Sequence, residues 1–62
     1  MKLYELPRYT YFTLKDDPDK NELFFDHVDG MYSYCKDKDS NVIHLPAWTE
    51  VWIVDEKGEY TS

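Results

Sequence analysis

The dipeptide Asp29-Gly30 constrains the fold of this chain more than any other feature of its sequence. It separates two runs rich in aromatic and aliphatic residues, 22–28 and 31–36. Asp-Gly between two such runs is a strong β-hairpin signal, because a two-residue type I′ turn requires positive φ at both central positions. The sequence therefore predicts an antiparallel ribbon that turns at residues 29–30, with Val28 opposite Met31.

Turn-forming residues recur about every ten positions along the chain and separate short runs of β-branched and aromatic residues. These runs predict strands at 9–14, 22–28, 31–36, 42–45 and 50–54, with a 3₁₀ turn over 46–49. The predicted fold is all-β, a single small five-stranded antiparallel barrel, SH3-like, with the 3₁₀ turn before the last strand. Residues 56–62 are expected to form a loose C-terminal tail.

A chain of 62 residues has room for one thin core. Its one cysteine, Cys35, cannot form an internal disulfide, which fits a reducing compartment. The chain has no run long enough to span a membrane and does not begin like a signal peptide, so we expect a cytoplasmic protein. The expected core residues are Phe12, Leu14, Leu23, Phe25, Met31, Ile43, Val51 and Ile53.

Two acidic motifs look like calcium loops but lack two required features. Asp-x-Asp-x-Asn occurs at 17–21 and at 37–41, but an EF-hand also needs glycine at position 6 and glutamate at position 12. Neither motif has them, so both are interpreted as solvated hairpin loops in which Asp and Asn close the turn.

The sequence also predicts no catalytic, metal or cofactor site. His27, Cys35 and His44 are too few and too widely spaced for a structural zinc site. A Cys–His pair would need an oxyanion hole and a third, orienting group, and the sequence supplies neither. We therefore expect a protein that is not an enzyme.

Thirteen acidic and seven basic residues give a net charge of −6, which disfavours binding to a phosphate backbone or an anionic membrane. The charge serves solubility, or it steers the protein toward a basic surface on a partner. The acidic residues expected to do the steering are Asp16, Asp17, Asp19, Asp37 and Asp39.

Aromatic residues are the most plausible binding groups, since tyrosine and tryptophan are enriched at interface hot spots. The expected aromatic face consists of Tyr9, Tyr11, Tyr32, Tyr34, Trp48 and Trp52. The same rings would also serve to complete an undersized core, and the sequence leaves both roles open. They would equally suit base stacking on a single-stranded nucleic acid, although the scattered lysines form no basic groove.

Parts of the sequence resemble small uncharacterised proteins encoded by tailed bacteriophages. The resemblance lies in Asp-Gly-Met-Tyr-Ser-Tyr-Cys at 29–35, Asn-Val-Ile-His-Leu-Pro-Ala-Trp-Thr-Glu-Val at 41–51 and Lys-Leu-x-x-Leu-Pro at 2–7. It implies a small barrel and a phage product that binds a host protein in the bacterial cytoplasm. It brings no catalytic residues.

The sequence, with this resemblance, thus predicts a non-enzymatic small acidic protein-binding module. It would be a phage-encoded modulator of a host protein with a basic surface, and a monomer or weak homo-oligomer. Two alternatives stay open at this stage. One is a small barrel that binds single-stranded nucleic acid, and the other is a purely structural or oligomerising phage protein.

Overall fold

A computed structural model describes residues 1–61 as one antiparallel sheet preceded by a turn of 3₁₀ helix, Leu3–Glu5. The strands are β1 (Thr10–Leu14), β2 (Leu23–Asp29), β3 (Tyr32–Lys36), β4 (Val42–Ile43), β5 (Val51–Val54) and β6 (Tyr60–Thr61). Their order across the sheet is β4-β3-β2-β1-β5-β6. The first four strands form a meander, and the chain then crosses over so that β5 pairs with the free side of β1.

The predicted all-β class is confirmed, but the five-stranded SH3-like barrel is not. The sheet has six strands and is not closed, because the two-residue strands β4 and β6 remain as its edges. Within residues 1–61 the 3₁₀ helix lies near the N-terminus. The segment 46–49 forms a turn in which the Thr49 amide donates to the Pro46 carbonyl over 3.0 Å.

The C-terminal part of the chain is more ordered than the expected loose tail over 56–62. Tyr60 pairs with Val54 and Thr61 pairs with Ile53, which adds β6 to the sheet. Ser62, the last residue of that predicted tail, lies outside the described residues.

The β2–β3 hairpin forms, but its turn lies one residue later than predicted. Asp29 pairs with Tyr32, so Gly30 and Met31 are the two loop residues. Gly30 has a φ of 67° and Met31 has no positive φ, which is the type II′ pattern with glycine at the first central position. The predicted type I′ turn and the pairing of Val28 with Met31 are therefore wrong.

A β-bulge at Asp26 explains why both faces of β2 look apolar in the sequence. Phe25 pairs with Cys35 and His27 pairs with Tyr34, so Asp26 is the extra residue on β2. A bulge shifts the alternation of side chains by one position. Phe25 and Val28 consequently both face the core although they are three residues apart, while His27 points outward.

The core lies between the inner face of the sheet and the N-terminal segment. Its buried apolar cluster consists of Leu3, Leu6, Phe12, Leu23, Phe25, Cys35 and Val51. Four of the predicted core residues are in this cluster, and Leu14, Ile43 and Ile53 pack against it while partly exposed. Met31 is 64% exposed, so its assignment to the core is wrong; the later turn places it at the hairpin tip.

The segment 45–49 joins the hairpin to the N-terminal helix by backbone hydrogen bonds. The Ser33 amide donates to the Leu45 carbonyl and the Ala47 amide donates to the Met31 carbonyl, each over 2.8 Å. The amide of Tyr4 in turn donates to the Ala47 carbonyl over 2.9 Å. This segment thereby covers one end of the core, which the six strands do not enclose.

Candidate interaction surface

The outward face of the sheet carries one row of mostly apolar side chains that runs across the strands. Cross-strand pairing aligns Tyr60 with Val54, Tyr11 with Phe24, Phe24 with Lys36, and Lys36 with Val42. Tyr11 and Val54 line one surface depression, which connects the two halves of the row. We call these six residues, Tyr60, Val54, Tyr11, Phe24, Lys36 and Val42, the outer row.

Aromatic contacts are densest at the centre of the outer row. The half-buried Phe24 ring lies 6.2 Å from the Tyr9 ring in a stacked arrangement and 5.2 Å from the Tyr11 ring edge to face. Tyr9 and Tyr11 are 63% and 51% exposed. The Tyr9 amide donates to the Phe25 carbonyl over 2.8 Å, which holds the backbone of Tyr9 beside β2. Tyr9 and Tyr11 therefore pack on Phe24 and still present much of their aromatic surface to solvent.

Tyr34 belongs to a separate cluster with two histidines. The Tyr34 ring stacks on His27 at 4.7 Å and meets His44 edge to face at 4.6 Å. His27 Nδ1 lies 2.8 Å from an Asp26 carboxylate oxygen, and His44 Nδ1 lies 3.2 Å from the Ser33 carbonyl oxygen. Their mutual packing leaves Tyr34 the least exposed of the exposed tyrosines, at 38%.

The other predicted aromatic residues lie apart from the outer row's centre. Tyr32 forms an isolated bridge with Pro46, and Trp48 is exposed in the turn that follows. Trp52 is half-buried, and Lys15 Nζ lies 4.6 Å from its ring centroid. Of the six predicted residues, the structure brings Tyr9 and Tyr11 together, around Phe24.

Sequence reasoning missed Phe24, Val54 and Tyr60 as members of the exposed face. The predicted register, with Val28 opposite Met31, places Phe24 opposite Cys35 and so on the same face. In the structure Phe24 pairs with Lys36, and Cys35 is buried on the other face. The available signal was the alternation of Leu23, Phe24 and Phe25, read before the bulge interrupts it. Tyr60 was not included because residues 56–62 were predicted to form a loose C-terminal tail.

Three surface loops share one geometry, which explains the acidic motifs. In each, an aspartate side chain accepts hydrogen bonds from the backbone amides two and four residues later, over 2.9–3.0 Å. The amide three residues later donates to the aspartate carbonyl, and that residue has positive φ. The aspartates are Asp17, Asp37 and Asp55, and the positive-φ residues are Lys20, Ser40 and Gly58.

In the first two loops these hydrogen bonds favour the charged form of the aspartate. The pKa of Asp17 is lowered chiefly by the Asn21 amide, and that of Asp37 chiefly by the Asn41 amide. The interpretation of both motifs as hairpin loops closed by their own side chains agrees with this geometry. Within residues 1–61, no group of three or more His, Cys, Asp or Glu residues is arranged to hold a metal ion.

Replacing Asp37 tests the stabilising role of these loops. Asp37→Ala is expected to lower the urea midpoint near neutral pH, because it removes the acceptor of two backbone amides. Since folding lowers the pKa of Asp37, its stabilisation is present above the ordinary value of 3.8 and is lost as pH falls through the folded value. Urea unfolding of wild type and variant across this range should show the two midpoints converging in acid.

Asp39→Ala is the matched control, since the Asp39 carboxylate accepts no hydrogen bond from the rest of the described chain. It should leave the midpoint nearly unchanged. Equal losses for both variants, or a difference that persists in strong acid, would contradict the loop interpretation.

Beside two of these loops, the open end of the sheet contains an apolar cleft of about 490 Å³. Its walls are formed by Leu14, Leu23, Ile43 and Leu45, side chains at the margin of the core. Its rim is polar and includes Asn21, Glu22, Lys38 and three of the predicted steering residues, Asp17, Asp37 and Asp39. Asp16 and Asp19, the other two, do not line it.

The single thiol is placed for packing. Cys35 is fully buried, its Sγ lies 3.2 Å from Ser33 Oγ, and burial raises its pKa. A buried thiol with a raised pKa is a weak nucleophile, so Cys35 and the outward-facing His27 do not form a nucleophile–base pair. No helix within residues 1–61 is long and apolar enough to cross a membrane.

Comparison with known proteins adds no family or relative: no family model matches the chain, and neither curated proteins nor solved structures give a significant match.

Proposed function

We propose that this protein is a non-enzymatic protein-binding module that contacts its partner through the outer row. The observation that carries the proposal is the exposure of Tyr9, Tyr11 and Tyr60 on one sheet face, next to the half-buried Phe24. A contiguous exposed apolar patch on a small acidic protein is typical of an interaction site. Rings fixed by packing lose little conformational entropy on binding, which suits them to be hot spots.

The charge distribution supports a partner with a basic surface. The chain carries a net charge of −6, and the acidic residues Glu22, Asp37, Asp55 and Glu56 line the depressions beside Tyr11. Complementary charge increases the association rate and orients the encounter. The resemblance to phage proteins supports a host protein as the partner and the bacterial cytoplasm as the location, and a small SH3-like module as the finer classification.

The proposal predicts that Tyr11→Ala weakens partner capture by tenfold or more, because hot-spot truncations cost about 2 kcal/mol or above. The immobilised protein would be incubated with bacterial lysate, and the bound proteins would be quantified against wild type. Tyr4→Ala is the matched control. Tyr4 is 58% exposed, but it lies in the 3₁₀ helix, away from the outer row.

The outcome separates three cases. Loss of captured proteins with Tyr11→Ala but not with Tyr4→Ala supports the outer row as the binding face. Equal capture by both variants, or no protein captured by wild type, contradicts it. Tight binding of a single-stranded oligonucleotide at low salt would favour the nucleic-acid alternative instead.

A further inference from the structure

The cleft at the open end of the sheet has the composition of a specific side-chain pocket. Leu14, Leu23, Ile43 and Leu45 give it apolar walls, and its volume of about 490 Å³ lies in the range of ligand-binding cavities. Among its charged residues, Glu22, Lys38 and Asp39 are exposed, whereas the four aliphatic residues are buried or half-buried. An occupant must therefore place an apolar group deep in the cleft and its polar or charged groups at the mouth.

The charge at the mouth selects the sign of the occupant. Asp17, Glu22, Asp37 and Asp39 line the rim with Lys38 as the one cation among them, so the mouth is strongly negative. The carboxylates of Asp17 and Asp37 already accept hydrogen bonds from the backbone amides of their own loops. Glu22 and Asp39 form no ion pair within residues 1–61, which leaves two carboxylates available to an incoming cation.

The cleft and the outer row are neighbouring parts of one surface. Glu22, Asp37 and Lys38 line the cleft, and the same three residues border a shallow depression formed by Tyr11 and Phe24. A partner segment lying on the outer row therefore reaches the mouth of the cleft without leaving the protein surface.

We propose that the cleft binds a bulky apolar side chain of the partner protein, of leucine size or larger, flanked in sequence by lysine or arginine. The apolar side chain would displace water from the four aliphatic walls, and the flanking cations would meet Glu22 and Asp39. This inference rests on the proposed function, because it names the chemistry of the segment that the same protein-binding surface takes.

The experiment uses the full chain, labelled with ¹⁵N, and three synthetic peptides followed by amide chemical shifts. The first is acetyl-Lys-Arg-Leu-Lys-Arg-amide, the second has alanine in place of leucine, and the third has glutamates in place of the basic residues. The first peptide should shift the amides of Leu14, Leu23, Ile43 and Leu45. The alanine peptide should bind at least about tenfold more weakly, since burial of a leucine side chain is lost.

Rim variants test the charge part of the proposal. Glu22→Gln and Asp39→Asn should each weaken the first peptide about two- to fivefold at low salt, the size expected for an exposed ion pair. Asp16→Asn is the matched control, because it makes the same change in net charge at a residue that does not line the cleft. All three residues are exposed, so folding should be unaffected.

The proposal is overturned if the leucine and alanine peptides bind alike, if the glutamate peptide binds as well as the basic one, or if no cleft amide shifts. Shifts confined to Tyr11, Phe24 and Val54 would also overturn it while leaving the outer row supported. Conversely, leucine-dependent shifts in the cleft, together with equal lysate capture by Tyr11→Ala and Tyr4→Ala, would support the cleft and contradict the outer row.

Discussion

Phe12→Ala is expected to remove most of the stability of this protein. Phe12 is completely buried, and its strand is hydrogen-bonded on both sides, with Leu23 opposite it on β2 and Ile53 opposite it on β5. Truncating a buried phenylalanine costs about 3–5 kcal/mol. A 62-residue domain has a total stability of roughly 3–9 kcal/mol. The variant should therefore be unfolded, or only marginally stable, near 25 °C.

Urea unfolding followed by tryptophan fluorescence would measure this loss. Tyr11→Ala is the control, because it truncates the neighbouring aromatic residue on the solvent side of the same strand. It should cost at most about 1 kcal/mol, the ordinary range for exposed positions. Similar losses for the two variants would show that the inner and outer faces of β1 are assigned wrongly. A stable Tyr11→Ala variant also makes the partner-capture experiment interpretable.

The hairpin shows how far the sequence determines this fold. Asp29-Gly30 correctly located a turn between two strands, because few residue pairs other than Gly-containing ones tolerate positive φ there. It did not determine the register, since a type II′ turn at Gly30 and Met31 also places Gly30 at a position that requires positive φ. The choice depends on burial. The observed register, with its bulge at Asp26, places Phe25, Val28 and Cys35 on the core side together.

The packing of the N-terminal segment on the core could not be predicted from local sequence patterns. The sequence did not indicate that Leu3 and Leu6 would be buried in the apolar cluster of the sheet. Their burial depends on the hydrogen bonds from Leu3 and Tyr4 to the distant segment 47–49, which no local pattern encodes. Tertiary contacts of this kind also decided which aromatic residues are exposed.

The acidic loops were the most predictable part of the candidate site. Asp and Asn at these spacings close turns on their own backbone, a local property. That Asp17 and Asp37 lie together at one cleft could not be predicted, because it follows from the pairing of β1, β2 and β3.

Removing each of two buried hydroxyls should affect stability differently, which tests the polar contacts of the core. Ser33 and Thr13 are both fully buried. Ser33 Oγ donates to the Leu45 carbonyl over 3.0 Å and accepts from the Leu45 amide over 3.3 Å. Thr13 Oγ1 has no hydrogen-bond partner within the described residues.

Ser33→Ala is therefore expected to destabilise the protein by about 1–3 kcal/mol, because it leaves the Leu45 amide without this acceptor in a poorly hydrated position. The loss should also loosen the segment 45–49, and faster hydrogen exchange at the Ala47 and Tyr4 amides would report it.

Thr13→Val keeps the shape of the side chain and removes a hydroxyl that is desolvated without compensation, so it should leave stability unchanged or raise it by up to about 1 kcal/mol. Urea midpoints of the two variants, measured beside wild type, are sufficient for the comparison. If Thr13→Val destabilises the protein as much as Ser33→Ala does, the Thr13 hydroxyl has a partner that this arrangement of the strands does not provide. If Ser33→Ala is neutral, the contact between β3 and the segment 45–49 does not hold the end of the core together.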